Sequence, residues 1–394
     1  MILFLFLIVA EILIPVVFRQ HFYKLARVKY YVFIVMHVIL SMWLWILFFE
    51  MISFKSFYDS PQYVWMIMNM AGMISAVLFP RYLLIIIHFI GTFIKRREGS
   101  HIKWLTNTGL VITMLIFSII ALSTLIGRFN FKTENVAIEV KGLHKDLEDL
   151  RIVQISDLHL ACFHHHRHLL NNVVEQINEY EPDIIINTGD FITFGWREFS
   201  GFDTILSNAV SRYGNFAVRG NHDAGTYHPD FTEADLENHL LNIDRLIRKS
   251  GYEVLNDEFV KLKIGDAKLA MIGVTTAGRH PDILHGKIDR AVAGLDSVDL
   301  KILLSHDPNH WNEDVVGRTD IDITFSGHTH GMQMGILTEK FKWSPAKYFY
   351  PNWHGLFAEG EQQQYVNRGL GVLAIPFRIW MPPEITVITL KKKT

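Results

Sequence analysis

Four long apolar segments near the start of this 394-residue sequence constrain its fold more than any other feature. They cover residues 2–18, 31–49, 64–94 and 104–126. A helix needs about 20 apolar residues to span the hydrocarbon core of a bilayer, so we predict four membrane-spanning helices within residues 1–126. The third segment is long and contains Pro80, so we expect it to be tilted or kinked. A secretory signal peptide is the alternative for the first segment, although that segment lacks a basic start.

The basic residues between these segments predict their orientation. The connections 19–30 and 95–103 each carry four lysines or arginines, whereas 53–62 carries only Lys55. Cytoplasmic loops are enriched in lysine and arginine, so both basic connections should be cytoplasmic. With four spans in the cell membrane, everything after residue 126 then lies outside the cytoplasm. A re-entrant third segment would reverse this orientation.

Two charged residues, Glu11 and Arg81, lie within the apolar segments. Charges inside a bilayer are costly and are retained for function or with a partner. One interpretation is that the two residues pair across the helix bundle. The other is that each lies near an interface, where its side chain reaches water.

From residue 127 the composition changes to that of an α/β domain. Residues 127–149 form a polar linker with one strand-like stretch at 136–140, and the main domain covers 150–394. Strand patterns at 150–155, 183–187, 215–218, 268–274, 300–304 and 321–325 are accompanied by helical patterns at 166–180 and 232–250. Such alternation predicts an α/β fold that collects its ligands at the carboxyl ends of the strands.

Polar motifs follow most of these strands. They are Asp157-x-His159, Gly189-Asp190, Gly220-Asn221-His222-Asp223, His306 and Gly327-His328-x-His330. Carboxylate, amide and imidazole ligands without a thiolate suit Mn, Fe or Zn ions rather than a structural cysteine-type zinc site. Two such ions clamp a phosphate group and supply a hydroxide nucleophile. The motifs therefore predict a two-metal hydrolase, with two Mn²⁺ ions as the first choice.

The roles of two residues are suggested by their neighbours. Asp190 follows a glycine, so the backbone can approach closely and the carboxylate can bridge two ions. His222 adjoins the metal-binding candidate Asn221, which places its imidazole to donate a proton to the leaving oxygen.

In this order the motifs resemble those of the calcineurin-like metallophosphoesterase superfamily, over essentially all of residues 150–390. The resemblance implies a four-layer α/β/β/α sandwich with a dinuclear metal site at one edge. It implies a first metal ion on Asp157, His159 and His330. It further implies a second ion on Asn221, His306 and His328, with Asp190 bridging the two and His222 as general acid.

The C-terminal segments 365–371, 376–378 and 383–385 are similar to the membrane-attached, YkuE-like branch of that superfamily. This branch includes enzymes resembling UDP-2,3-diacylglucosamine hydrolases. One departure concerns Thr193, which stands where many relatives carry an acid that orients the catalytic histidine. Asp223 is a candidate substitute for that acid, and the departure leaves the orientation of His222 open. Ala161 stands where a glycine is common.

Several other features have two interpretations. The histidines at 164, 165, 166 and 168 suit a solvated loop better than a third metal or a phosphate contact. Arg219 and Arg368 fit either substrate phosphate or structural ion pairs. Residues 340–357 mix basic and aromatic side chains, which suits either a lid that meets lipid head groups or packing against the sheet.

The predicted function is hydrolysis of phosphate esters or pyrophosphates, including lipid-linked ones, by a membrane-anchored metal-dependent phosphoesterase. A net charge of −2 argues against a nucleic-acid partner. Cys162 is the only cysteine, which excludes an intrachain disulfide. One alternative is a UDP-2,3-diacylglucosamine-type pyrophosphatase of lipid A synthesis, which needs a cytoplasmic active site. The other is a membrane sensor that keeps the fold without catalysis.

Overall fold

The computed structural model describes residues 2–23, 26–53, 58, 60–94, 103–279 and 282–393. These residues divide into two compact units. The first comprises 1–55, 66–126 and 374–377, and the second comprises 56–65, 127–373 and 378–394. The helices of the apolar segments lie mainly in the first unit, and the strands lie in the second.

Four helices form from the apolar segments. They are α1 (Ile2–Phe22), α2 (Arg27–Ser53), α3 (Pro61–Ile94) and α4 (Lys103–Leu125). All four are long and apolar enough to cross a membrane, as predicted. The helix α3 continues through Pro80 without interruption. Neighbouring helices in a membrane bundle compensate for the hydrogen bond that a proline removes.

A charged network lies inside the first unit. Arg81 Nη1 is 3.4 Å from Glu11 Oε1, and Glu11 Oε2 is 3.2 Å from His37 Nε2. Arg81 also donates to Ser41 Oγ at 3.4 Å. Of the two interpretations of Glu11 and Arg81, the structure therefore shows the pair. Because each charge has a partner, the desolvation cost of burying it is partly offset.

The second unit contains two six-stranded sheets and several short helices. Its helices are α5 (Arg167–Glu179), α6 (Asp203–Leu206), α7 (Glu233–Lys249) and α8 (Ile288–Ala291). Its strands are β1 (Lys132–Val140), β2 (Arg151–Ile155), β3 (Ile184–Asn187), β4 (Asn215–Ala217), β5 (Glu253–Val254), β6 (Glu258–Ile264), β7 (Ala267–Gly273), β8 (Thr276–Arg279), β9 (Asp282–His285), β10 (Leu300–Leu304), β11 (Ile323–Ser326), β12 (Ile336–Leu337), β13 (Lys342–Trp343), β14 (Gly355–Glu359), β15 (Gln362–Val366) and β16 (Glu384–Lys392).

The two large sheets have the orders β1-β16-β2-β3-β4-β5 and β14-β15-β11-β10-β7-β6. Strands β2 to β5 pair in parallel, as do β7, β10, β11 and β15. Their isoleucine-, valine- and leucine-rich sequences fit this pairing, because parallel strands are usually buried on both faces. The carboxyl ends of β2, β3 and β4, and those of β10 and β11, then carry the predicted motifs.

The inner faces of the two sheets share one hydrophobic core. Ile152 and Phe216 of the first sheet belong to the same buried cluster as Leu269 and Ile302 of the second. Buried apolar residues on the amphipathic helices α5 and α7 show that these helices pack on the domain. A second cluster packs α8 and the turn at Trp311–Val315 against Ile272. The predicted mixed α/β fold preceded by apolar helices is confirmed.

The linker segment contributes to the first sheet. The strand β1 spans nine residues, more than the stretch predicted at 136–140, and pairs in parallel with β16 along its whole length. Residues 127–149 therefore include an edge strand of the domain.

Candidate active site

The loops after five parallel strands bring the predicted polar residues together. Asp157 and His159 follow β2, Asp190 follows β3, and Asn221 and His222 follow β4. From the second sheet, His306 follows β10, and His328 and His330 follow β11. These loops meet because parallel strands end at one edge of a sheet. The structure thus brings together the five loops that carry the eight predicted residues, and we call the region between these loops the pocket.

The first group in this pocket consists of Asp157, His159 and His330, all of them buried. One ligand atom from each lies within 4.8 Å of the other two. His330 Nε2 is 3.2 Å from Asp157 Oδ1 and 3.2 Å from His159 Nε2. The space between the two imidazole nitrogens can hold only one proton or one cation.

The second group consists of Asp190, His306 and His328. His306 Nε2 is 3.2 Å from Asp190 Oδ2 and 3.1 Å from His328 Nδ1. Asp190 Oδ2 is also 3.9 Å from His159 Nε2 in the first group. This carboxylate therefore lies between the two groups.

Asn221 completes the donor set with a neutral oxygen. Its Nδ2 donates a hydrogen bond to the Tyr227 hydroxyl at 3.0 Å. Its Oδ1 is buried and has no hydrogen-bond partner among the described residues. A buried amide oxygen without a donor is costly, and a cation would satisfy it. The carboxylates, imidazoles and this amide oxygen fit two divalent cations.

The pocket concentrates an uncommon backbone conformation. The φ angle is positive at Asp157 (49°), His159 (42°), Asp190 (58°), His328 (68°) and His330 (49°). Each such residue costs about 1 kcal/mol or more. This left-handed backbone turns successive side chains toward one point, which an extended segment does not achieve.

Close backbone approach explains a glycine beside the pocket. A Cβ atom at Gly220 would clash with Asp190 Oδ1. The carboxylate also accepts a hydrogen bond from the His222 amide at 2.9 Å. The Gly220 position thus lets Asp190 reach the loop after β4.

Opposite charges in the pocket alter one another's ionisation. Burial alone would raise the pKa of Asp190, but His306 and His222 hold it well below its usual range. Burial alone would lower the pKa of His306, whereas Asp190 raises it to about 10. Protonation of His306 offsets the negative charge of the acids in the pocket. A divalent cation would take over that role and release the proton.

His222 is oriented by a backbone carbonyl. Its Nδ1 lies 2.7 Å from the Thr193 oxygen, to which it donates, and its ring stacks on Tyr227 at 4.0 Å between centroids. The expectation that Asp223 orients His222 is wrong. The Asp223 carboxylate instead accepts hydrogen bonds from the Gly220 and Ile192 amides at 3.0 and 3.2 Å. It connects the loops after β3 and β4.

Glu198, which belongs to none of the sequence motifs, positions the Thr193 carbonyl. Its buried carboxylate accepts hydrogen bonds from the amides of Thr193, Phe194 and Gly195. Burial raises the pKa of Glu198 to about 7 despite these donors. The only sequence signal is a local one, because Glu198 occupies the third position of a helical turn that begins at Trp196.

Side chains behind the pocket fix the orientation of its histidines. His306 Nδ1 donates to the Thr188 carbonyl at 2.7 Å, His159 Nδ1 lies 3.2 Å from Thr193 Oγ1, and His328 Nε2 lies 2.8 Å from the Tyr350 hydroxyl. Such outer contacts select the imidazole nitrogen that remains available for a cation.

The segment 340–357 is partly buried and partly exposed. Tyr350 and Trp353 are buried in a small cluster with Met381, which supports the packing interpretation. Phe341, Tyr348 and Phe349 remain exposed. The Tyr350 contact with His328 connects the buried part to the pocket.

The two arginines considered for phosphate binding are engaged in ion pairs. Arg368 Nε is 2.7 Å from Glu384 and its Nη2 is 2.7 Å from Glu134. Arg219 Nε is 3.5 Å from Asp244. These contacts favour the structural interpretation of both side chains.

The histidines at 164, 165, 166 and 168 are partly or fully exposed. His165 and His168 are exposed. Within the part of the chain that the structure describes, no group of metal-ligating atoms includes a histidine from 164 to 168.

Residues 150–332 match the calcineurin-like phosphoesterase family. YkuE of Bacillus subtilis, named an uncharacterized metallophosphoesterase, is 30% identical over 62% of this chain and 80% of its own length. A zebrafish (Danio rerio) transmembrane protein with metallophosphoesterase domain is 29% identical over 72% of this chain and 62% of its own. The UDP-2,3-diacylglucosamine pyrophosphatase LpxG of Chlamydia muridarum is 29% identical over 61% of this chain and 84% of its own.

The chain spans 62% of the length of the zebrafish relative and 64% of the length of an uncharacterized metallophosphoesterase of Campylobacter jejuni, to which it is 29% identical. The zebrafish relative is named for a transmembrane protein that carries a metallophosphoesterase domain. In this chain, four helices long and apolar enough to cross a membrane precede the residues that match the family. The motifs, the two-sheet fold and the aligned relatives lead to one assignment: the chain belongs to the calcineurin-like metallophosphoesterase family.

Proposed function

We propose that this protein is a membrane-anchored phosphoesterase that uses two divalent cations to hydrolyse phosphate esters or pyrophosphates. The observation that carries the proposal is the position of Asp190 between two buried ligand groups, 3.2 Å from His306 and 3.9 Å from His159. A carboxylate placed in this way can serve both groups at once. Mn²⁺ is the first candidate for the cations, with Fe and Zn as alternatives.

We assign the ligands in two sets. Asp157, His159 and His330 would hold one cation. The second would be held by Asn221, His306 and His328, with Asp190 shared. Bound cations in such a site neutralise the phosphate charge and lower the pKa of a water molecule toward neutrality.

His222 would donate the proton to the leaving oxygen. Its Nδ1 is held by the Thr193 carbonyl, so the ring exchanges protons through Nε2. Stacking on Tyr227 restrains the ring, and the Glu198 carboxylate fixes the loop that carries Thr193. The chain's own residues thereby hold the acid in one orientation before substrate arrives.

The test uses purified full chain in detergent, loaded with Mn²⁺, and compares esters that differ in their leaving group. An alkyl leaving group needs a proton, whereas 4-nitrophenolate leaves without one. We expect His222→Ala to lower kcat about 10²-fold or more for alkyl phosphates. For 4-nitrophenyl phosphate and its diester we expect only a small loss.

The control for this experiment is His168→Gln, which alters an exposed histidine and should leave both rates unchanged. An equal loss for both leaving groups would remove the proton-donor role from His222. If wild type with two bound cations turns over no ester or pyrophosphate, the non-catalytic sensor becomes the better description.

Lipid-linked substrates are the finer form of this proposal. Three features support them: the apolar helices, the exposed aromatic side chains of 340–357, and similarity to a protein named UDP-2,3-diacylglucosamine pyrophosphatase. The alternative that this chain is itself such a pyrophosphatase needs a cytoplasmic active site. Membrane orientation therefore separates the two candidates.

We propose that the catalytic domain faces away from the cytoplasm in the cell membrane, because the basic connections 19–30 and 95–103 should stay inside. Cysteine labelling in intact cells tests this. The sole native cysteine, Cys162, is buried, so introduced thiols report alone. A membrane-impermeant maleimide should label Asp296→Cys, whose parent side chain is 83% exposed. It should label Lys29→Cys only after permeabilisation. The reverse pattern would favour the lipid A pyrophosphatase.

A further inference from the structure

A second cluster of cation ligands lies outside the candidate active site. It consists of His285, His310 and Asp314, which we call the hairpin cluster. One ligand atom from each lies within 4.8 Å of the other two. His285 ends the β8–β9 hairpin, whereas His310 and Asp314 lie in the connection after β10. The cluster thus joins two segments that are distant in sequence.

His310 carries an unsatisfied nitrogen that points into this cluster. The side chain is fully buried, and its Nδ1 lies 2.9 Å from Ser305 Oγ. Its Nε2 lies 3.4 Å from Asp314 Oδ2 but makes no hydrogen bond with any described residue. A buried imidazole nitrogen left without a partner destabilises the fold. A cation between Nε2 and the carboxylate would remove that cost.

The two ring nitrogens of His285, like those of His310, face different groups. Its Nε2 lies 3.3 Å from the buried carboxylate of Asp307, and its Nδ1 lies 3.8 Å from Glu313 Oε2. A ligating histidine commonly has its second nitrogen bound to a carboxylate or hydroxyl that fixes the ring. Asp307 would serve His285 in this way, and Ser305 would serve His310. The two rings stack 4.4 Å apart.

The local backbone brings the acids to the histidines. Residues Trp311–Val315 form a π-helical turn, closed by a hydrogen bond from the Val316 amide to the Trp311 carbonyl at 2.9 Å. Turns of this kind are rare in proteins as a whole, and those that occur are often found at functional sites. The turn carries Asp314 to His310 Nε2 and presents Glu313 to His285.

We propose that the hairpin cluster binds one Zn²⁺ ion through His285, His310 and Asp314, with Glu313 or water as the fourth ligand. Nitrogen and oxygen ligands without thiolate, in a set of three or four, suit tetrahedral zinc. Ligand atoms of such a site are roughly 3.4 Å apart, given metal–ligand distances near 2.0–2.1 Å. The separation of 3.4 Å between His310 Nε2 and Asp314 Oδ2 fits this value.

The ion would fix the hairpin and, through it, the loop of His222. Arg279 in β8 donates to the Thr226 carbonyl and lies over the Tyr227 ring at 5.2 Å. Tyr227 in turn stacks on His222. Zinc in the hairpin cluster would therefore be a positioning ion, distinct from the cations that contact substrate.

Metal counting on purified full chain, stripped with chelator and then saturated with Zn²⁺ alone, tests the site. We expect three zinc ions per wild-type chain and two per Asp314→Asn or His310→Gln chain. Asp314 is exposed, with a side-chain accessibility of 55%, so its replacement leaves folding intact even where His310→Gln does not. The count is made on metal content and does not depend on turnover.

Two controls separate the hairpin cluster from other zinc-binding groups. Asp320→Asn removes an exposed acid paired with Lys301, and His168→Gln removes an exposed histidine of the segment 164–168. Both should retain three ions. Adding Asp314→Asn to Asp190→Asn should lower the count by one further ion. If Asp314→Asn leaves the number of zinc ions per chain unchanged, in the wild-type or in the Asp190→Asn background, the proposal is overturned.

Hydrogen exchange gives an independent readout of the positioning role. In the Asp190→Asn background, Zn²⁺ should slow amide exchange in β8 and β9, and Asp314→Asn should abolish that protection. Equal exchange of the hairpin with and without zinc would also count against the site.

Discussion

Asp190→Asn is expected to lower kcat about 10³-fold or more on every substrate that the wild type hydrolyses. The carboxylate lies between both ligand groups and also accepts the His222 amide hydrogen. The substitution keeps the shape of the side chain but removes its charge and leaves one acceptor oxygen. Loss of about 4 kcal/mol of transition-state stabilisation corresponds to this factor.

The measurement pairs steady-state kinetics with metal analysis of the Mn²⁺-loaded full chain. Asp190→Asn should bind fewer ions at the active site than wild type while its thermal midpoint stays close to that of the wild type. Asp203→Asn is the matched control, because Asp203 is also buried but pairs with Lys249 away from the pocket. Full activity of Asp190→Asn would refute the shared role of this carboxylate.

The second large effect concerns stability. Glu384→Ala is expected to destabilise the catalytic domain by about 3–5 kcal/mol. Glu384 is fully buried at the start of β16 and lies 2.7 Å from Arg368 Nε. It also accepts hydrogen bonds from the hydroxyls of Tyr365 and Thr386, both at 2.6 Å. Its removal takes one acid partner from the buried Arg368 guanidinium, which keeps its contact with Glu134. It also removes the carboxylate that accepts from the Tyr365 and Thr386 hydroxyls.

Thermal unfolding of full chain in detergent measures this loss. Glu361→Ala is the control, because Glu361 forms exposed ion pairs with Lys141 and Lys393 that contribute little. Its midpoint should match wild type. A midpoint for Glu384→Ala within error of wild type would show that the buried pair does not stabilise the fold.

The ion pair of Glu384 and Arg368 predicts that the stability of the domain depends on pH. Burial alone would raise the pKa of Glu384, but Arg368 and His354 outweigh burial and lower it below the usual value of 4.5. Because the pKa of Glu384 is lower in the folded protein than in the unfolded chain, its ionised form stabilises the fold fully at pH values above the unfolded-state pKa. This stabilisation is lost as the pH falls through the folded-state pKa. The difference in stability between wild type and Glu384→Gln should therefore shrink below pH 4.5.

The sequence predicted the residues of the candidate site because their order and their places after strands are local properties. All eight, from Asp157 to His330, come together in the structure. The apolar segments and the helices α5 and α7 could also be predicted, because the pattern of apolar residues is a local property of the sequence. The pairing of Glu11 with Arg81 was one of two open interpretations, because helix contacts are not encoded in any one segment.

What the sequence did not reveal depends on long-range geometry. The expected Asp223 contact failed because the carboxylate of Asp223 satisfies two backbone amides, while a backbone carbonyl at Thr193 holds His222. Carbonyl groups occur at every residue and carry no sequence signal. The hairpin cluster was equally hidden, because 24 residues lie between His285 and His310 in the sequence. Only the fold brings them together.

The pairing of β1 with β16 has a consequence for synthesis. On a translating ribosome β1 emerges directly after α4, yet its neighbour in the sheet emerges only after residues 141–383. The strand β16 also separates β1 from β2. During that interval β1 is an unpaired strand edge, open to mispairing. Synthesis of the apolar helices and completion of the sheet are thus separate events in time, and a nascent chain that stalls before residue 384 carries the candidate site residues in an unfinished sheet.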